Sequence, residues 1–172
     1  MYRSSRRGMT LIETLVVLLM MGFIGTGIFQ LIRAGYDSQY TILGQNASAS
    51  NARAAVDQIV DEMRGATAVT SAAASDITFT HANGTIRYWR NSADNTIRRT
   101  VGGAPAGGNI VMLGASGLTF LYWSYTTSWA SSSTPSDVTK VGAVDITITG
   151  TSNGVSRQVS GSVQIRQKRL AP

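Results

Sequence analysis

The chain has 172 residues, which suits one domain with a modest core plus one long excursion rather than two ordinary domains. It has no cysteine, so disulfides, thiolate zinc sites and cysteine nucleophiles are excluded and the fold must rest on packing and hydrogen bonds. A formal net charge of +6 raises the question of nucleic acid or anionic lipid, but Arg3, Arg6 and Arg7 lie in the first eight residues; without them twelve basic residues face nine acidic ones, an ordinary surface charge of +3.

The apolar residues are concentrated near the N-terminus. Nineteen residues from Thr14 to Ile32 carry no charge, and as an α-helix they would span about 28 Å, close to a hydrocarbon core of about 30 Å. A secretory signal peptide has a similar basic start and apolar centre. Two features argue against that reading: the run is long for a signal, and no small-x-small cleavage site follows promptly after Phe29. Arg3, Arg6 and Arg7 lie on one side of the span and resist translocation, so the leader stays cytoplasmic and the chain beyond about Arg33 is exported. Glu13 is a lone carboxylate at the edge of the apolar stretch, where it either lies at the headgroup level, near the positive end of the helix, or marks a partner.

The run Arg6-Arg7-Gly8-Met9-Thr10-Leu11-Ile12-Glu13-Thr14-Leu15 resembles the type IV prepilin family. The resemblance implies cleavage after Gly8 by a membrane-embedded prepilin peptidase, a new N-terminus at Met9 that is a candidate for methylation, retention of the leader through Arg6 and Arg7, and an assembly role for Glu13. Most members carry phenylalanine where this chain has Met9, which is also large and apolar. A carboxylate from one subunit would neutralise the amine freed on its neighbour and fix axial register, the best-attested use of buried polar pairs. Gly22, Gly25 and Gly27 fall inside the span, where small residues either let neighbouring helices approach closely or loosen the helix. The family often has a proline in the second half of this segment, and none is present here.

From Tyr36 to about Arg64 the spacing is helical, with Ala52, Val56, Ile59 and Met63 forming one apolar stripe. Arg53, Asp57, Asp61, Glu62 and Arg64 lie off the stripe, Arg53 and Asp57 at ion-pair spacing, and Gly65 ends the helix. From Asp76 the period becomes strand-like: Ile77 to Thr80, a turn at Asn83-Gly84, then Thr85 to Arg90. Further strands are predicted over Thr96 to Val101, Ile110 to Leu113, Leu118 to Tyr125, Val141 to Thr149 and Val155 to Arg166, with surface loops over Gly102 to Asn109 and Thr126 to Lys140. The helix ending Asn51 to Arg64, the strands through Ile86-Arg87-Tyr88 and Ile97-Arg98-Arg99, and the strand Val144 to Ile148 are similar in order to the J-type pseudopilins of type II secretion and the W-type minor pilins.

The expected fold is therefore α+β and pilin-like: a long N-terminal helix, its first half transmembrane, packed on a C-terminal antiparallel β-sheet. Its divisions are a cytoplasmic leader over 1–8, a transmembrane and filament-core helix over 9–35, and an extracytoplasmic domain over 36–172 that is helical to about residue 65. The resemblance implies a minor pilin or pseudopilin of a type IV pilus, a type II secretion pseudopilus or a DNA-uptake filament. It would be held in a bacterial inner membrane by a single pass, with its N-terminus cytoplasmic, before entering an extracytoplasmic filament. Its partners would be the prepilin peptidase, other pilin or pseudopilin subunits and the inner membrane.

No enzymatic activity, metal or cofactor is expected. The only histidine, His81, stands beside a turn, the aspartates lack the spacing of a calcium loop, and no nucleophile signature surrounds the serines. The candidate ligand surface is Arg87, Trp89, Arg98 and Arg99, since cations beside aromatic rings hold phosphate and stack bases. Strand alternation places Arg87 and Trp89 on one face and Tyr88 and Arg90 on the other, which favours cross-strand packing over a filament- or membrane-mounted module that captures DNA or a surface.

Overall fold

The computed structural model describes residues 10–102, 107–125, 128–152 and 154–165. One helix, α1 (Leu11–Arg64), is followed by nine strands, giving an α+β chain whose long N-terminal helix leads into antiparallel sheets. The chain divides into two compact units, residues 1–42 and 43–172.

In the first unit every described residue from Thr10 to Tyr40 is exposed. Apolar side chains occupy all sides of the helix there, so no single face is marked for a core. The helix starts at Thr10, whose carbonyl accepts from Glu13 N at 3.0 Å and Thr14 N at 3.2 Å. Hydroxyls within the unit bond back to the preceding turn, Thr14 to Leu11 O, Thr26 to Gly22 O and Thr41 to Asp37 O, so these polar groups need no water.

In the second unit the helix becomes amphipathic. Ser48, Ala52, Ala55, Val56, Ile59, Val60 and Met63 are buried, at the three- and four-residue spacing that keeps side chains on one face. The stripe Ala52, Val56, Ile59, Met63 is thus a core face. The helix stops at Arg64, and Gly65 N donates to Glu62 O at 3.2 Å. A side chain at Gly65 would collide with the His81 imidazole, 2.4 Å from Nε2, so the histidine closes over the end of the helix.

The strands form two sheets. The first is a five-stranded meander of β1 (Ala66–Ala73), β2 (Asp76–His81), β3 (Gly84–Asn91), β4 (Thr96–Val101) and β5 (Asn109–Met112), paired in sequence order. The second has the order β7-β6-β8-β9, from β6 (Ala115–Tyr125), β7 (Trp129–Ser132), β8 (Val141–Ser152) and β9 (Val155–Gln164). All pairings are antiparallel. The β2–β3 hairpin turns at Ala82-Asn83 and Gly84 takes φ 110°, which suits a residue without Cβ.

Two strands lie where none was expected. β1 follows directly on the helix, and β7 and a 3-10 turn (Val138–Lys140) occupy much of the stretch read as a Thr126 to Lys140 loop. Leu113 falls just outside β5, and the predicted end of the last strand at Arg166 lies outside the described residues.

The core joins the helix stripe to the inner residues of both sheets, including Ile77, Phe79, Ile86 and Tyr88 from the first and Phe120, Tyr122, Val144, Ile146 and Ile148 from the second. Glycines set how closely helix and second sheet meet. A Cβ on Gly161 would lie 2.5 Å from Val56 Cγ1, and one on Gly150 would lie 2.5 Å from Ser48 Oγ. Polar contacts tie the sheets together: Phe120 N donates to Ala74 O at 2.8 Å, the Tyr122 hydroxyl to Ala73 O at 2.8 Å, and Arg90 Nε to Ala115 O at 3.0 Å.

Candidate functional site

The first candidate is the N-terminal segment. Gly8, Met9, Arg6 and Arg7 lie outside the described residues. Glu13 is described: it stands exposed in the first turn of α1, where the helix dipole favours an anion. The charge-free stretch that follows belongs to a helix long and apolar enough to cross a membrane. Leu11, Ile12, Leu15, Leu18, Met21, Phe23, Ile24 and Phe29 are each more than half exposed. A Cβ placed on Gly22, Gly25 or Gly27 would meet nothing within 4 Å, so no contact inside the chain accounts for these glycines.

The second candidate is the arginine and aromatic cluster on β3 and β4. The register pairs Trp89 with Arg98 and Tyr88 with Arg99, so alternation puts Arg87, Trp89 and Arg98 on the outer face of the five-stranded sheet and Tyr88 and Arg99 on its inner face. Each arginine has an intramolecular partner. Arg87 forks onto Asp76, with Nε 3.0 Å from Oδ1, and its guanidinium carbon lies 5.0 Å from the Trp89 ring centroid. Its pKa is raised, chiefly by the hydrogen bond to Asp76. Arg98 pairs with Asp94, and its Nε also donates to Thr96 Oγ1 at 3.1 Å and its Nη1 to Gly107 O at 3.1 Å.

Arg99 differs because it reaches the helix. Its Nη2 is 2.9 Å from Glu62 Oε1 and its Nε 2.9 Å from Oε2, while the Tyr88 hydroxyl donates to the same Oε2 at 2.8 Å. The hydrogen bond to Glu62 is the main cause that raises the Arg99 pKa. The Tyr88 hydroxyl is pushed well above the usual tyrosine range, first by burial and then by the bond to Glu62. Glu62 is therefore a link between helix and sheet. Sequence spacing placed it only as a polar residue off the stripe, and its signal was being the residue next to Met63 at the seam rather than opposite it.

At the helix end the ion pair is Arg64 with Asp61, 2.8 Å apart, rather than Arg53 with Asp57. His81 Nδ1 accepts from Asn83 N at 3.2 Å and helps shape its turn. Among the described residues no three His, Cys, Asp or Glu side chains come together.

A third feature had no sequence signal. On the second sheet Trp123, Trp129 and Asp145 line a cleft of about 630 Å³, with Tyr125 packed against Trp129. Trp129 sits in a stretch dominated by serine and threonine, which concealed both its strand and its neighbours.

No protein-family model matches the chain, and no curated protein matches it significantly.

Proposed function

We propose that this chain is a structural subunit, a minor pilin or pseudopilin, of a type IV pilus, a type II secretion pseudopilus or a DNA-uptake filament. Prepilin peptidase trims it after Gly8, and it leaves the inner membrane to assemble through its N-terminal helix. The observation that carries this reading is the exposure of the whole charge-free apolar stretch of the helix, Thr14 to Ile32, directly behind Glu13. Such a surface needs either lipid or other helices around it. A subunit that moves from membrane to filament uses both in turn. The glycines at 22, 25 and 27, where an added Cβ would meet nothing within 4 Å, suit close approach of helices from other subunits.

Substituting Gly8 by a bulky residue is expected to leave the full-length form in the membrane. Glu13→Ala is expected to be cleaved normally and incorporated poorly into filaments, measured by shearing and quantifying the subunit against a partner pilin. Unchanged incorporation of Glu13→Ala would remove the register role. The DNA-capturing reading draws less support, because Arg87, Arg98 and Arg99 each already hold an intramolecular carboxylate.

A further inference from the structure

The outer face of the four-stranded sheet carries a built arrangement that anchoring and assembly leave unused. Trp123 and Tyr125 project from β6 and Trp129 from β7, where Tyr125 and Trp129 are register partners. Their rings lie 5.5 Å apart, tilted by 55°. The benzo edge of Trp129 reaches Gly142 of β8, where a Cβ would stand 2.7 Å from Cη2. The missing side chain makes room for the indole, which stays 57% exposed. This ring is fixed in place yet open to solvent.

Asp145 lines the same cleft. Trp123 Nε1 donates to Asp145 Oδ2 at 2.6 Å, which orients the carboxylate and leaves Oδ1 without a hydrogen bond among the described residues. Asp61, Glu62, Asp76, Asp94 and Asp137 each pair with an arginine or lysine, whereas Asp145 pairs with an indole. Ser162 and Gln164 from β9 complete the cleft. Asp145 and Ser162 also line an adjoining hollow of about 390 Å³ with Thr147 and Ser160, so the two form one groove. Its larger part lies in the range of about 300–1,000 Å³ typical of small-molecule sites.

The lining selects a ligand class. Among the described residues no basic side chain lines the groove and its one charge is negative, which disfavours phosphates and nucleic acid. A plain hydrocarbon would strand Asp145, Ser162 and Gln164. An ammonium ion would use Asp145 and the rings but leave the donors of Ser162 and Gln164 idle. A sugar ring uses everything present: its C–H face lies on the electron-rich face of an indole, and its hydroxyl edge meets a carboxylate acceptor and groups that both donate and accept. We infer that this groove binds a neutral oligosaccharide of hexopyranose units, with Trp129 as the stacking platform and Asp145 Oδ1 as the principal hydroxyl acceptor. The site lies wholly in the second unit and does not depend on how the chain is anchored or processed.

The test is calorimetric titration of the full chain in an amine-oxide detergent, which carries no sugar. The probes are hexasaccharides of β-1,4-linked glucose, β-1,4-linked N-acetylglucosamine and α-1,4-linked glucose, with tetramethylammonium as the competing class. At least one hexasaccharide is expected to bind. Trp129→Ala is expected to weaken it about tenfold at unchanged melting temperature, as loss of one stacked ring implies, and Asp145→Asn to weaken it several-fold. If Trp129→Ala does not fold, Asp145→Asn and Gln164→Ala carry the test. The inference is overturned if no hexasaccharide binds, if these variants bind as the parent does, if tetramethylammonium binds instead, or if the substitutions alter only self-association.

Discussion

Residues 11–40 and 43–64 belong to the same helix, yet they carry their apolar side chains differently. The first stretch, from Thr14 to Ile32, carries apolar side chains on all sides and buries none of them among the described residues; the second confines its buried apolar residues to one stripe and packs that stripe on two sheets. The two patterns suit different surroundings. A helix beside its own domain needs one apolar face and water on the other, whereas a helix meant for lipid or for a bundle of equivalent helices has no solvent side. Glycine use follows the same division. A Cβ on Gly22, Gly25 or Gly27 would meet nothing within 4 Å, while one on Gly150 or Gly161 of β8 and β9 would run into Ser48, Val56 or Val60 of the helix.

The sharpest way to break the comparison is to make the same change in both stretches. Ile59 is fully buried, so Ile59→Ala should cost about 2–5 kcal/mol, read as a lower thermal midpoint of the purified chain in detergent. Ile24→Ala in the exposed stretch should leave that midpoint unchanged. Equal losses would mean that the first stretch also packs within the chain.

Alkaline pH should attack the packed unit alone. Tyr88 and Tyr122 both have their pKa raised, in each case chiefly by burial. The raised folded value means that the unfolded chain releases its protons first, near the ordinary tyrosine value of about 10. Stability is therefore fully present below that pH and falls as pH rises toward the folded pKa, by up to about 1.4 kcal/mol per pH unit for each tyrosine. Denaturant melts at rising pH should show this slope, and Tyr122→Phe should make it shallower. The helicity of residues 11–40 should persist throughout, since neither tyrosine touches it.

Gly161→Ala tests the close approach of helix and sheet. The added methyl would meet Val56 Cγ1 at 2.5 Å and Val60 Cγ2 at 3.3 Å, so the midpoint should drop by the equivalent of about 1–3 kcal/mol. The smallest effect should come from Asp61→Asn, which removes the exposed pair with Arg64 and should change stability by no more than about 0.5 kcal/mol.

Periodicity made much of this fold legible. The stripe from Ala52 to Met63 and the hairpin through Ile86 and Tyr88 alternate large apolar residues at helix and strand spacing, and they occupy those elements. β1 escaped because Ala66–Ala73 offers mostly alanine and threonine, with two register shifts against β2. β7 escaped because Trp129 is the one large residue in a four-residue strand. Division into two sheets was not readable either: it depends on where β6 departs after Gly114, at φ 70°, and on Tyr122 and Arg90 reaching across, contacts that no local pattern encodes. The roles of Glu62 and Asp145 were hidden for the same reason, since their partners are 37 and 22 residues away in sequence.

The proposal that the chain is a trimmed pilin-like subunit, whose exposed apolar helix serves the membrane and then the filament, is tested most directly by intact mass spectrometry of the chain recovered from membranes that also contain a prepilin peptidase. The expected mass lacks residues 1–8, with Met9 as the new N-terminus and at most one methyl group added. Recovery of the whole 172-residue chain, or of a chain cut beyond Ile32, would contradict it.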